Sequence, residues 1–161
     1  MKRIALGIAA VLGIYGYNVY TSAERDGTGT VVGAGSIDAF QIRVGDCFND
    51  VAAIVGDQSE EVSSVPGVPC SEPHDNEVYA VFDVANAEFP GDDAIASIAF
   101  DSCLDRFATF TGRDYETSAL DITTMYPSRD GWSQHSDREV ICAVYDMNLD
   151  KLVGSVKGRG L

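Results

Sequence analysis

Four cysteines follow a short apolar segment at the N-terminus, and together these features constrain the fold more than anything else in the chain. The cysteines are Cys47, Cys70, Cys103 and Cys142. The basic pair Lys2-Arg3 precedes an apolar stretch over residues 4–20, a pattern typical of segments that direct a chain out of the cytoplasm. An even number of cysteines after such a segment predicts disulfides, because thiols oxidise outside the cytoplasm.

Residues 4–20 are predicted to form a single transmembrane helix that anchors the chain in the cytoplasmic membrane. The segment is near the short end of what crosses a bilayer, and tyrosines cluster at its C-terminal end, as at a membrane interface. Lys2-Arg3 predicts an N-in, C-out orientation, so residues 1–23 are assigned as the anchor. The alternative is a signal peptide with small residues at a cut site ending at Ala23. Both interpretations place the rest of the chain outside the cytoplasm.

Length and charge limit the rest of the chain to one acidic domain. The chain has 161 residues, 45% of them hydrophobic, which is ordinary for a globular protein with a packed core. The net charge of −14 repels nucleic acid, so no nucleic-acid partner is expected. We predict a glycine-rich flexible tether over residues 24–36 and a folded domain over residues 37–158.

Hydrophobic periodicity predicts an α+β domain, with a mostly antiparallel sheet and one main helix packed on it. Alternating patterns predict strands over residues 37–46, 77–84, 120–126 and 138–146, with the second of these central in the sheet. The helix is expected from Asp92 or Asp93, as the capping residue, to about Thr111, with Gly112 closing it. A turn-rich or hairpin region is expected in residues 49–67. Turns are expected at 129–132 before a new strand and at 136–137, and disorder is expected in the tail 154–161.

The helical pattern also selects one disulfide connectivity. Cys103 lies at the centre of the apolar face that contains Ala96, Ala99, Phe100, Phe107 and Phe110. It must therefore face the sheet, where Cys142 lies in the middle of a strand. Cys47 and Cys70 both lie at apparent strand ends beside loops, so the predicted pairs are Cys47–Cys70 and Cys103–Cys142. The wide cysteine spacing makes a zinc site improbable, and no metal or cofactor is expected.

Two short polar segments are the candidate functional residues. His74, Asp75 and Glu77 follow Cys70, and Trp132, Asp137 and Arg138 precede Cys142. A histidine beside carboxylates is compatible with a cation site or a general base, but one histidine with scattered acids is no metal motif, so a solvated loop is the favoured interpretation. Trp132 is interpreted as a core anchor or a platform for glycan stacking. No catalytic motif is present, and a triad around His135 has no suitable nucleophile.

The same strings resemble a known family. Residues 44–48 (VGDCF), 68–79 (VPCSEPHDNEVY) and 89–91 (FPG), followed by Cys103, Trp132 and Asp137-Arg138, resemble the septum-formation-related domain of actinobacterial envelope proteins. The resemblance covers about residues 37–158 and implies a single-pass or exported protein linked to division or wall assembly. Ser136 occupies a place where glycine is expected, and no catalytic residue is carried over.

These observations favour a non-enzymatic, membrane-anchored extracytoplasmic domain that binds an envelope or divisome protein or a wall polymer linked to septum formation. The predicted binding surface joins the His74–Glu77 loop to the Trp132–Asp137 turn. The alternative is a cell-wall hydrolase that uses His74 with nearby carboxylates, which requires His74 in a concave pocket within reach of two acids or of His135. A third hypothesis is weak stabilisation by calcium on the acidic surface.

Overall fold

The computed structural model describes residues 21–51 and 62–161, which form eight strands and two α-helices. The predicted membrane segment 4–20 and most of the turn-rich segment 49–67 lie outside these residues. The strands are β1 (Glu24–Arg25), β2 (Val31–Gly33), β3 (Gly35–Asp38), β4 (Cys47–Phe48), β5 (Ser64–Val68), β6 (Asn76–Asp83), β7 (Leu120–Met125) and β8 (Glu139–Asp146). The helices are α1 (Asp92–Thr111) and α2 (Arg129–Gln134), with short 3₁₀ turns at Ala39–Gln41 and Tyr115–Thr117. No helix among the described residues is long and apolar enough to span a bilayer.

Six strands form one antiparallel sheet in the order β3-β5-β4-β6-β8-β7. Strand β6 lies inside this sheet between β4 and β8, which confirms the predicted central strand. Its residues from Asn76 to Ala80 are buried whichever face they point to, as expected for a strand covered on both sides. The predicted strands at 120–126 and 138–146 are also confirmed, and they pair with each other in unbroken register. The mostly antiparallel α+β architecture is therefore as expected.

Helix α1 covers one face of the sheet, and its limits agree with the prediction. Gly112 adopts the left-handed conformation at φ 81° and its N–H donates to the carbonyl of Ala108, which ends the helix. The predicted aspartate cap is wrong, because Gly91 occupies the N-cap position and makes no side-chain cap. Asp92 and Asp93 instead lie in the first turn, where negative charge favours the helix dipole.

The sheet separates two apolar clusters. On the α1 side, Cys103 and Phe107 pack against residues of β6, β7 and β8 such as Leu120 and Val140. Phe100 was predicted to face this core, but 38% of it is exposed, and Ile95 is buried in the cluster instead. On the opposite face a smaller cluster is formed by Val31, Ile37, Ile42, Phe48, Val65, Val78, Ile141 and Ala143.

The strand predicted over residues 37–46 is wrong. After β3, the carboxylate of Asp38 accepts the N–H of Phe40 and begins the 3₁₀ turn Ala39–Gln41. Phe40 is consequently turned to solvent, with 65% of its surface exposed, while Ile42 is buried. The apolar residues alternate in sequence as in a strand, although the 3₁₀ turn interrupts the extended backbone. The turn forms because capping by the aspartate side chain competes with sheet hydrogen bonding.

The turn and new strand predicted from residue 129 are also wrong, because these residues form α2. The Ser128 hydroxyl caps the helix by accepting the Gly131 N–H at 3.0 Å. The helix directs Trp132 into the α1-side cluster, where it is 5% exposed. The chain then turns at Ser136, whose φ of 56° lies in the left-handed region that glycine favours. This left-handed conformation explains why glycine is expected at position 136.

The predicted tether is folded within the described residues. Strands β1 and β2 form an antiparallel hairpin, and Val31 is buried in the second cluster. Ser22 bridges Ser36 of β3, so the chain from residue 21 onward covers this edge of the large sheet. The Arg25 guanidinium makes a bidentate ion pair with Asp46 at 2.6 and 2.8 Å, which fixes the hairpin to the segment before β4. The domain boundaries themselves stay a prediction.

Candidate functional site

Both predicted disulfides are present. Cys103–Cys142 joins α1 to β8 through the α1-side cluster, and both residues are fully buried. Cys47–Cys70 joins β4 to the loop after β5, with Cys47 buried and Cys70 partly exposed. Every cysteine of the chain is paired in this way. The two bonds close loops with sequence separations of 23 and 39 residues, which limits the freedom of the unfolded chain.

His74 is completely buried, and the solvated loop considered for it is wrong. Its main chain forms a two-way bridge with Leu152, with N···O distances of 3.0 and 2.8 Å. The ring nitrogen Nδ1 lies 2.8 Å from the carbonyl oxygen of Glu72, while Nε2 has no partner among the described residues. The ring is therefore not presented to solvent, and the main chain of His74 is paired with the C-terminal segment of the chain.

Glu77 holds the C-terminal tail. Its carboxylate is 2% exposed and accepts the Ser155 hydroxyl at 2.5 Å and the Val156 N–H at 2.6 Å. The Gly154 N–H donates to the carbonyl of Cys70 at 2.7 Å, close to the same point. We call this the tail-docking region: Cys70, His74 and Glu77 with residues 152–156. The tail predicted to be disordered is packed instead, because buried polar groups of the loop and β6 pair with its main chain.

Asp75 is the one member of the first segment with an ion pair. Its carboxylate lies 2.7 Å from the Lys151 ammonium and also accepts the Asp50 N–H at 2.9 Å. Asn76, which is buried, donates to the Asp50 carboxylate at 2.6 Å. These contacts tie the end of β4 to the start of β6 and to the segment after β8. They are partly exposed, so they contribute less to stability than the buried contacts of Glu77.

Trp132 and Arg138 form a stacked group at another part of the molecule. The Arg138 guanidinium lies 3.7 Å from the centre of the Trp132 ring and donates to the carbonyls of Trp132 and Asp137. The Asp137 carboxylate accepts the Glu139 N–H at 3.0 Å at the start of β8. Burial, together with the nearby carboxylates of Asp137 and Asp83, raises the pKa of Glu139. These side chains stabilise the turn into β8.

The structure does not bring the two predicted segments together. Glu77 pairs with Val144 at one end of the β6–β8 ladder, whereas Asp83 pairs with Glu139, next to Arg138, at the other end. Six strand residues separate the two ends by about 20 Å. Because His74, Glu77 and Trp132 are also buried, the joint exposed surface predicted for the two segments is not formed. His135, at the C-cap of α2, is exposed.

Among the described residues, Cys47, Cys70 and Glu77 form a group of three potential metal ligands. Their ligand atoms lie within 4.8 Å of one another. The two sulfurs are joined as a disulfide and offer no thiolate, and the carboxylate is occupied by the tail. The group is therefore structural, a buried polar contact beside a disulfide.

A hydrogen-bonded group at the edge strand β7 was missed by the sequence interpretation. The Asp121 carboxylate accepts the hydroxyls of Tyr115 and Tyr145 at 2.7 and 3.0 Å, and the N–H of Ile122 at 2.7 Å. The bond to Asp121 raises the pKa of Tyr115 to about 12, and burial raises that of Tyr145. The Leu120 N–H donates to the Ser118 hydroxyl, so side chains occupy part of this sheet edge. The signal available in the sequence was the aspartate within an apolar strand.

Comparison with known proteins identifies a family for this chain. A family model described as Septum formation matches residues 44–159, which include all four cysteines, β4 to β8 and the tail-docking region. The chain therefore belongs to the septum-formation family, which points to a role in septum formation during cell division. No curated protein and no solved structure matches the chain.

Proposed function

We propose that the protein is a membrane-anchored, extracytoplasmic domain that takes part in septum formation by binding a wall component or an envelope protein. Family membership supplies the link to the septum. The extracytoplasmic location is supported by the two disulfides, because such bonds persist in oxidising compartments and are rare in the cytoplasm. The anchor is supported by the composition of residues 4–20.

The burial of His74 is the observation that favours a binding function over catalysis. An acid–base residue must reach substrate, yet this ring is fully buried, with Nδ1 on a main-chain carbonyl. His135 lies at the C-cap of α2, outside hydrogen-bond contact with His74. A wall hydrolase using His74 would need the tail-docking region to open before each reaction. A stable binding domain needs no such step.

Location and orientation are tested by labelling introduced cysteines with a membrane-impermeant maleimide. Asn148→Cys lies in an exposed turn after β8 and should be labelled in intact spheroplasts. Lys2→Cys, the matched position before the apolar segment, should be labelled only after lysis. Labelling of Lys2→Cys before lysis, or protection of Asn148→Cys, would contradict the proposed orientation.

Septal function and the absence of catalysis are tested separately. Depletion of the protein should delay septation and lengthen the cells, and a fluorescent fusion should concentrate at the division site. The purified chain should release no soluble fragments from cell-wall preparations. Release that is lost in His74→Gln, while the variant keeps its fold, would favour the hydrolase alternative instead.

A further inference from the structure

The Cys47–Cys70 disulfide ties a loop to the sheet. Residues 69–75 connect β5 to β6, and the sulfur of Cys70 in this loop is bonded to that of Cys47 in β4. Cys47 is fully buried and pairs with Val68 of β5 and with Glu77 of β6, so neighbouring strands fix it on both sides. Cys70 is partly exposed and depends on the loop for its position. The bond therefore joins a fixed residue to a less constrained one.

The same loop holds the C-terminal tail through three main-chain hydrogen bonds. The Gly154 N–H donates to the carbonyl of Cys70 at 2.7 Å. His74 and Leu152 exchange two further bonds at 3.0 and 2.8 Å. The position of the tail is thus coupled to the loop, and the position of the loop is coupled to the disulfide.

Reduction of this disulfide changes the distance between its two sulfurs. Bonded sulfurs lie about 2 Å apart, whereas non-bonded heavy atoms keep a separation of about 3.5–4 Å. Because strand pairing fixes Cys47, most of the displacement falls on Cys70. The Cys70 carbonyl that accepts the Gly154 N–H belongs to the residue that moves, so reduction weakens the attachment of the tail.

Acceptors for both new thiols are already in place, so the sheet need not unfold on reduction. The Gly45 carbonyl oxygen lies 3.3 Å from the Cys70 sulfur and can accept its S–H. The Cys47 sulfur lies within 4.8 Å of the Glu77 carboxylate, which also accepts the Val156 N–H of the tail. A thiol at Cys47 consequently competes with the tail for the same carboxylate.

We propose that Cys47–Cys70 is a regulatory disulfide, which a protein dithiol reduces by thiol–disulfide exchange and which thereby releases the tail from the tail-docking region. The attacking thiolate bonds to the Cys70 sulfur, the bond between the cysteines breaks, and Cys47 leaves and takes up a proton. The second thiol of the reductant then breaks the mixed disulfide, so that Cys70 becomes a thiol and the reductant a disulfide. Cys103–Cys142 is fully buried and takes no part. The encounter with an extracytoplasmic reductant rests on the proposed function, whereas the coupling to the tail is a property of the domain itself.

The site of exchange is tested with a thioredoxin-class protein whose Cys-x-x-Cys motif is changed to Cys-x-x-Ser, because such a protein cannot resolve a mixed disulfide. Incubated with the full chain in zwitterionic detergent, it should be trapped on Cys70, as identified by peptide mapping under non-reducing conditions. An adduct on Cys47, Cys103 or Cys142, or the absence of any adduct, would overturn the assignment.

The coupling to the tail is tested by hydrogen exchange of the full chain before and after reduction with dithiothreitol. The amides of Gly154 and Val156 should exchange about tenfold faster or more in the reduced chain, and reoxidation should restore the slow rates. The amides of Gly158 and Gly160 donate to carbonyls at the end of α1, so they serve as internal controls and should change by less than about threefold.

The variant Cys47→Ser/Cys70→Ser provides a second measurement that does not depend on selective reduction. It should show fast exchange at Gly154 without reductant and no further response to dithiothreitol. Slow exchange at Gly154 in the reduced wild type or in this variant would show that the tail is held independently of the disulfide, and the inference would fail. Equal acceleration at Gly154 and Gly158 would also refute it, because the whole tail would then open together. Neither result affects the proposed function, since septal localisation and the depletion phenotype are measured independently.

Discussion

The α1-side core and the tail-docking region lie against the same sheet, yet they are stabilised by opposite kinds of contact. Around Cys103–Cys142 the side chains are apolar, and their contacts are dispersion and burial. Around Cys47–Cys70 the buried groups are polar: the main chain of His74 pairs with Leu152, and the Glu77 carboxylate accepts from Ser155 and Val156 of the tail. The first region can tolerate apolar exchange, whereas the second depends on individual hydrogen bonds.

The difference explains why one disulfide is more accessible than the other. Cys103 and Cys142 are both fully buried, whereas Cys70 is partly exposed. A reductant can approach Cys70 in the native state, but it reaches the core pair only after α1 separates from the sheet. The polar region is therefore the part of the domain that loosens first under reducing conditions.

Removing the core disulfide should produce the largest effect and gives the strongest test of this comparison. Chain entropy predicts a loss of about 3–4 kcal/mol in the free energy of unfolding for either bond. Cys103→Ala/Cys142→Ala should lose about 1 kcal/mol more than Cys47→Ala/Cys70→Ala, because it also leaves a small cavity in a packed core. Urea unfolding of both double variants measures the difference.

The order of reduction provides the control for that experiment. Limited dithiothreitol followed by thiol alkylation and peptide mapping should modify Cys47 and Cys70 before Cys103 and Cys142. A larger loss for the Cys47–Cys70 variant, or earlier reduction of the core pair, would reverse the ranking of the two regions.

The second prediction concerns the polar contact that holds the tail. Glu77→Ala should lower the free energy of unfolding by about 2–3 kcal/mol, because it leaves the buried N–H of Val156 without an acceptor. Hydrogen exchange at the Val156 amide should accelerate strongly, while the Gly158 amide, bonded to Phe110, should change less. Glu116→Ala removes an exposed carboxylate and should change stability by less than about 0.5 kcal/mol. Unchanged exchange at Val156 would show that Glu77 does not hold the tail.

The contrast between apolar and polar contacts also explains which features could be predicted from the sequence. Helix α1, strands β6, β7 and β8 and both disulfides were predicted, because apolar periodicity reports directly on burial. Phe40 was misplaced because a local contact with Asp38 decides its position, and His74 and the glycine-rich tail were misplaced because polar contacts between distant segments decide theirs. No periodicity shows that the Val156 N–H meets Glu77, or that Asp38 begins a 3₁₀ turn. The partners of buried polar groups are distant in sequence, so a single sequence gives little indication of them.

A third test asks whether polar contacts at an exposed edge matter less than those of Glu77. The Tyr115 hydroxyl bond to Asp121 raises the folded-state pKa from 10 to about 12, so its stabilisation is complete below pH 10 and is lost as the pH rises towards 12. Tyr115→Phe should cost about 1 kcal/mol at neutral pH. It should also flatten the decline in stability across that alkaline window, measured by urea unfolding at a series of pH values. Tyr126→Phe, which keeps the Asp121 group intact, serves as control, and an unaltered alkaline decline in Tyr115→Phe would contradict the assignment.

The smallest effect is expected on the α1 side, at the turn between α2 and β8. Ser136 is held at φ 56°, a conformation that costs an L-residue about 1–2 kcal/mol relative to glycine. Ser136→Gly should therefore raise the free energy of unfolding by about 0.5–1 kcal/mol, after the greater entropy of the unfolded chain is deducted. Ser133→Gly, in the helical part of the same segment, should lower it by about 0.5 kcal/mol. Opposite signs for two identical substitutions three residues apart would show that backbone conformation, rather than side-chain contact, limits this turn, whereas a loss in both would assign Ser136 a contact that outweighs its strain.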